Sequence, residues 1–135
     1  AIFEYMSGIK IRSPYDAAKA DKDFICNPVA MAITGFCRMG VEIIFVSGRS
    51  SEHRAPSVDF LNRASNEYGF TYDKLYMREQ GDSRADNIVK QEIYDAHLKG
   101  KYNIIAVFDD RNSVLKMWKE NGLYVFNCNY RGEDF

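Results

Sequence analysis

Asp109 and Asp110 stand side by side directly after the apolar run Ile104-Ile105-Ala106-Val107-Phe108. A strand that buries such a run and ends in two carboxylates concentrates negative charge at a sheet edge. That costs free energy unless a cation or a proton sits there. Two hard oxygen donors at one strand end suit a cation of the Mg²⁺ type. A second group, Ser47-Gly48-Arg49, follows the run Val41 to Val46. The Ser47 hydroxyl can donate to an anionic oxygen, Gly48 lets backbone approach closely, and Arg49 offers a planar fork suited to phosphate. A turn with a capping Ser and a solvated Arg reads the same tripeptide equally well. A third group is Arg84, Asp86 and Lys90. Asp86 and Lys90 are spaced to share one helix face and fit a surface ion pair. Beside the other two groups, Lys90 can instead reach an anion held at the carboxylate pair and neutralise it. His53 and His97 have no partner pattern and read as structural or surface residues.

The elements that must position these groups alternate. Asn27-Pro28 reads as N-cap and first residue of a helix with Val29, Met31, Ala32, Ile33 and Phe36 inward, ended by Gly40. Val41 to Val46 reads as a buried strand that ends in a tight turn at Ser47-Gly48-Arg49. Pro56 opens a second helix, with Val58, Leu61 and Ala64 on one face, stopping near Gly69. Lys74 to Met77 is a short strand. Residues 82–98 read as a helix with Ile88, Val89 and Ile93 inward. Residues 103–108 are a strand, Asn112 to Gly122 a helix with Val114, Leu115 and Trp118 apolar, and Tyr124 to Asn127 a last strand. This β/α alternation favours a parallel sheet flanked by helices, with working residues beyond the C-terminal strand ends. Ser47-Gly48-Arg49 and Asp109-Asp110 both lie at such ends.

The composition narrows the function classes. With 135 residues the chain has the length of one domain. Its 18 basic and 19 acidic residues leave a net charge of −1, so no general basic field would hold a long duplex. Any nucleic-acid contact is local, such as a grip on one end. Cys26, Cys37 and Cys128 are far apart and lack ligand spacing, which argues against zinc and against a disulfide framework. They read as reduced thiols of a cytoplasmic protein. No apolar run is long enough to span a membrane and no signal peptide is visible.

In this order, the groups resemble the haloacid-dehalogenase (HAD) phosphohydrolase superfamily. Its pattern is a DxDGT strand, then Ser/Thr, then Lys, then an acidic pair; Ser47, Lys90 and Asp109-Asp110 match the last three. The stretches Arg12-Ser13-Pro14-Tyr15-Asp16, Val46-Ser47-Gly48-Arg49 and Phe108-Asp109-Asp110-Arg111 resemble the 3′-phosphatase domain of phage polynucleotide kinase/phosphatase. The most specific stretch is Arg78-Glu79-Gln80-Gly81-Asp82-Ser83-Arg84-Ala85-Asp86, with Lys90 following. Gly132-Glu133-Asp134-Phe135 resembles that domain's end, so the resemblance covers residues 12–135.

The resemblance implies an α/β, HAD-like (Rossmann-like) three-layer sandwich with a central, mostly parallel sheet whose first strand is degenerate or missing. It implies one phosphatase domain over residues 1–135. The implied activity is Mg²⁺-dependent removal of a 3′-phosphate from nucleic-acid ends or nucleotides through an aspartyl-phosphate. Ser47 and Lys90 would bind the phosphoryl oxygens, with Arg49 beside them. Asp109 and Asp110 would hold the metal. Arg12, Arg84 and Asp86 match positions that support the site or the substrate phosphate. A kinase domain ahead of residue 1 is implied as well.

One departure stands out: the chain contains no DxDGT. Either residues 1–6 are the first strand, with Glu4 and Met6 in place of the two aspartates, or the sequence begins just after the motif. Ala1-Ile2-Phe3 fits a continuation of DGTL, and the second reading is the expectation. In both, the nucleophile is missing and the chain alone is expected to be inactive. A receiver domain of a response regulator needs its acidic pair on the first strand, ahead of the hydroxyl residue and Lys, which is the wrong order here. A non-catalytic module that binds phosphorylated ends and a HAD phosphatase acting on small metabolites are the remaining alternatives.

Overall fold

Local chemistry sets the helix ends. The first helix, α1 (Asn27–Arg38), starts with Pro28 in its first turn, where a missing N–H costs nothing. Asn27 is not the cap expected of it. Cys26 holds the capping position with no side-chain capping hydrogen bond, and the Asn27 Oδ1 accepts the hydroxyl of Tyr68. The second helix, α2 (Arg54–Tyr68), begins two residues before Pro56, after a 3-10 turn at Ser51–His53. It stops at Gly69, whose φ of +80° is the left-handed cap glycine favours.

The computed structural model describes residues 3–4, 24–129 and 132, with the side chains of Phe3, Glu4 and Phe24 left aside. These fall into two units, residues 2–82 and 83–135. In the first, β1 (Phe3–Glu4) pairs antiparallel with β2 (Phe24–Ile25). The strands β3 (Ile44–Ser50) and β4 (Lys74–Arg78) pair in parallel, with α2 as their crossover. Among the described residues of this unit, Cys26, Val29, Ala30 and Ile33 of the α1 region, Phe60, Leu61 and Ala64 of α2, and Phe70 and Leu75 are buried and apolar.

The second unit contains α3 (Asp86–Ile93), a π turn at Tyr94–Leu98, β5 (Val107–Asp109), α4 (Asn112–Glu120) and β6 (Val125–Asn127). β5 and β6 pair in parallel, Asp109 opposite Asn127. Val89, Tyr94, Leu98, Val114, Leu115, Met117 and Trp118 are buried.

Several expectations shift. Met31 is 65% exposed, because successive helical residues turn by about 100° and five consecutive apolar residues cannot all face inward. Ile88 is 44% exposed for the same reason: Val89 and Lys90 take the inner face of α3. The helix predicted from residue 82 starts at Asp86, since a turn closed by Asp82 N–H on the Glu79 carbonyl, with Gly81 at φ +87°, precedes it. The strand predicted over 103–108 is confined to Val107–Asp109, where β6 supplies partners. β3 is half-buried rather than buried and runs on through Ser47-Gly48-Arg49 to Ser50. Among the described residues, no helix is long and apolar enough to cross a membrane.

Phe60 is fully buried on α2 and carries much of the first unit's core. Phe60→Ala is expected to cost about 3–5 kcal/mol, read as a lower urea midpoint with an unchanged slope.

Candidate active site

Asp109 ends β5 and is 6% exposed. Its Oδ2 accepts the Lys90 Nζ at 2.9 Å and the Trp118 indole Nε1 at 3.2 Å. Its Oδ1 accepts the backbone N–H of Asp110 at 2.9 Å. Burial would raise the Asp109 carboxyl pKa, but the Lys90 ammonium and the hydrogen bonds outweigh it and lower the value to about 2. Lys90, 8% exposed, is thus held as a buried cation against a buried anion.

The surface pair expected between Asp86 and Lys90 does not form. Lys90 turns inward to Asp109, and Asp86 instead receives Arg111 Nε at 3.4 Å. Arg111 directly follows Asp110, so α3 is tied to the β5–α4 connection on both sides of Asp110, at Asp109 and at Arg111. Arg84 lies on the exposed surface, with its guanidinium two-pronged on Glu92 at 2.5 and 2.7 Å.

Asp110 differs from its neighbour. It is half-buried, and among the described residues nothing donates to its carboxylate. Among those residues no cluster of three or more His, Cys, Asp and Glu side chains gathers. The oxygens that could hold a cation are those of the Asp110 carboxylate and Asp109 Oδ1, which keeps one lone pair. Such a set suits Mg²⁺, which usually keeps several waters and takes one or two carboxylates.

Ser47 and Arg49 belong to the other unit. The β3–β4 register slips between Ser47, opposite Met77, and Ser50, opposite Arg78, so Gly48 and Arg49 are extra residues on β3. This is a bulge where a tight turn was expected. Arg78 closes it: its Nε donates to the Gly48 carbonyl at 2.7 Å and its Nη1 to the Asp82 carbonyl at 3.0 Å. Ser47 Oγ accepts the Arg49 N–H at 3.1 Å, which leaves the Ser47 hydroxyl proton available to an anion. Arg12 lies outside the described residues.

Sequence reading gave no role to Arg78, Arg111 or Trp118. The two arginines stand inside the stretches that carry the resemblance, and that position was the available signal. Trp118 read only as part of an apolar helix face.

The family model for the polynucleotide kinase phosphatase domain matches residues 5–135. A protein of Autographa californica nuclear polyhedrosis virus, named for polynucleotide kinase and RNA ligase activities, is 36% identical over 78 residues, 58% of this chain and 11% of its own length. Chains from two structures of the Pnkp1/Rnl/Hen1 assembly, one described as an RNA repair complex, share the fold. One has a TM-score of 0.80 at 37% identity, covering 91% of this chain and 38% of its own. The other has 0.79 at 38% identity, covering 87% and 40%. The α/β fold is therefore HAD-like, and the chain spans well under half the length of these relatives.

Lys90→Met leaves the buried Asp109 carboxyl without its cation, and is expected to destabilise the protein by about 3–5 kcal/mol. The pH dependence has a definite sign. Because the folded Asp109 pKa is lowered to about 2, its contribution is complete above the unfolded carboxyl pKa, near 4, and is lost as pH falls towards 2. Urea unfolding across that window should show wild type losing about 2 kcal/mol from this group, while Asp109→Asn lacks that component.

Proposed function

Because this chain belongs to the polynucleotide kinase phosphatase domain family of the HAD superfamily, we propose that residues 1–135 form one phosphatase domain acting on the 3′-phosphate of nucleic-acid ends or nucleotides. The observation that carries the reading is the buried Lys90–Asp109 pair beside the open carboxylate of Asp110.

Lys90 has three N–H donors, of which Asp109 takes one. Those remaining can meet phosphoryl oxygens and offset the charge that develops on them. By the family resemblance, Ser47 would donate its hydroxyl to a phosphoryl oxygen, and Arg49 would offer a planar fork to an anionic edge. Asp110, with Asp109 Oδ1, would hold Mg²⁺, and when bound the ion supplies electrostatic stabilisation of the phosphoryl group. Arg12, Arg84 and Asp86 support the site or the substrate phosphate; for Asp86 the support runs through its bond to Arg111.

The family reaction needs an Asp to attack phosphorus and a second Asp to act as general acid and base. No DxDGT occurs within the 135 residues. Phe3–Glu4 pairs antiparallel with β2, which does not support Glu4 as the substitute on a parallel central strand. We therefore read this chain as the phosphate- and metal-binding part of the catalytic apparatus. The names of its relatives favour a role in RNA end repair, alongside kinase and ligase activities.

The chain alone is expected to release no phosphate from a 3′-phosphorylated oligonucleotide with Mg²⁺. Clear turnover that disappears in Asp110→Asn would overturn this. Adding a DxDGT strand upstream of Ala1 should bring activity. Metal-dependent binding of the end without turnover, even then, would favour a non-catalytic phosphate-end-binding module.

A further inference from the structure

Trp118 is the chain's single tryptophan, 3% exposed on the inner face of α4. A buried indole N–H needs an acceptor, and a backbone carbonyl would serve. Here the acceptor is an ionised carboxylate, and the oxygen chosen is the one that Lys90 already uses. The edge-on ring of Tyr94, with centroids 6.0 Å apart at 83°, keeps the indole plane fixed.

A carboxylate offers about four lone-pair sites. Two donors on Oδ2 saturate it, and the Asp110 N–H takes one site on Oδ1. The site left over lies on Oδ1, the oxygen that holds the backbone N–H of Asp110. Without the indole N–H, Oδ2 regains a lone pair. The carboxylate is then held by Lys90, which can follow its rotation on a flexible stem, and by one amide.

We propose that Trp118 is a positioning residue: its N–H locks Asp109 so that Oδ2 serves Lys90 and Oδ1 is presented, beside Asp110, to a divalent cation. The inference rests on the proposed reading of Asp110 as a cation ligand, and goes beyond it by assigning the orientation of the site to a residue of the apolar core.

The test is Mg²⁺ binding to the intact protein, measured by titration calorimetry, with melting temperature in chelator recorded alongside. Trp118→Phe is expected to weaken Mg²⁺ binding about tenfold, the scale typical of lost outer partners of a metal ligand. Replacing the indole by a benzothiophene analogue at position 118 removes the N–H and keeps the shape. It should give the same loss with little change in melting, and it decides the matter if the Phe variant folds poorly. Val114→Ala, fully buried on the same helix, should lower the melting temperature without altering Mg²⁺ affinity. If both Trp118 variants bind Mg²⁺ as tightly as wild type, the indole is merely structural and the inference is wrong. If the unaltered protein binds no Mg²⁺, the cation role of Asp110 fails first, and the inference with it.

Discussion

The ion pair between Lys90 and Asp109 constrains most of the second unit. Taking both charges out of water costs several kcal/mol for each ion, and attraction alone need not recover that. The structure meets the cost by adding donors: the Trp118 indole on one oxygen and the Asp110 amide on the other. Each donor fixes an element. Lys90 sets the rotation of α3, which leaves Ile88 on the outside. Trp118 sets the face that α4 turns to β5. A hydrophobic pair of similar volume would hold these elements together at least as well. The persistence of charge there argues for a use of the charge.

The two neighbouring carboxylates show how environment divides roles between identical groups. Asp109 is buried, bonded by three donors and held ionised. Asp110 is half-buried, and none of the described residues donates to its side chain. The first keeps the Lys90 ammonium in place; the second keeps its lone pairs open among the described residues. β5 ends at Asp109, so the strand fixes the first carboxylate and the second lies just beyond it.

Much of this was legible in the sequence where the signal is local. The helix over Asn112 to Gly122, the parallel strands and the acidic pair after Val107-Phe108 all follow from periodicity and composition. The pairing of Lys90 was less accessible. Asp86 lies four residues from Lys90, whereas Asp109 is nineteen away, and only the tertiary fold chooses between them. Ser47-Gly48-Arg49 read as a turn because Gly and Ser favour turns. What keeps the segment in the strand is Arg78, thirty residues on, holding the Gly48 carbonyl. Trp118 was invisible as a site residue, because a helix face built from Val114, Leu115 and Trp118 looks the same whether or not one N–H finds a carboxylate.

The same logic operates in both units. In each, a parallel β-α-β segment ends a strand in polar residues, where the backbone has run out of ladder partners and side chains can turn towards a ligand. In the first unit a bulge bends that end and an arginine from the neighbouring strand braces it. In the second the strand stops and a lysine from the preceding helix braces it. In both cases the brace is a cation from another element, bonded to an oxygen at the strand end. A polar strand end without such a brace would sample many orientations, and a phosphoryl group would have to pay for ordering it on binding. Bracing beforehand lowers that cost, which explains why long charged side chains are held inside a small α/β fold.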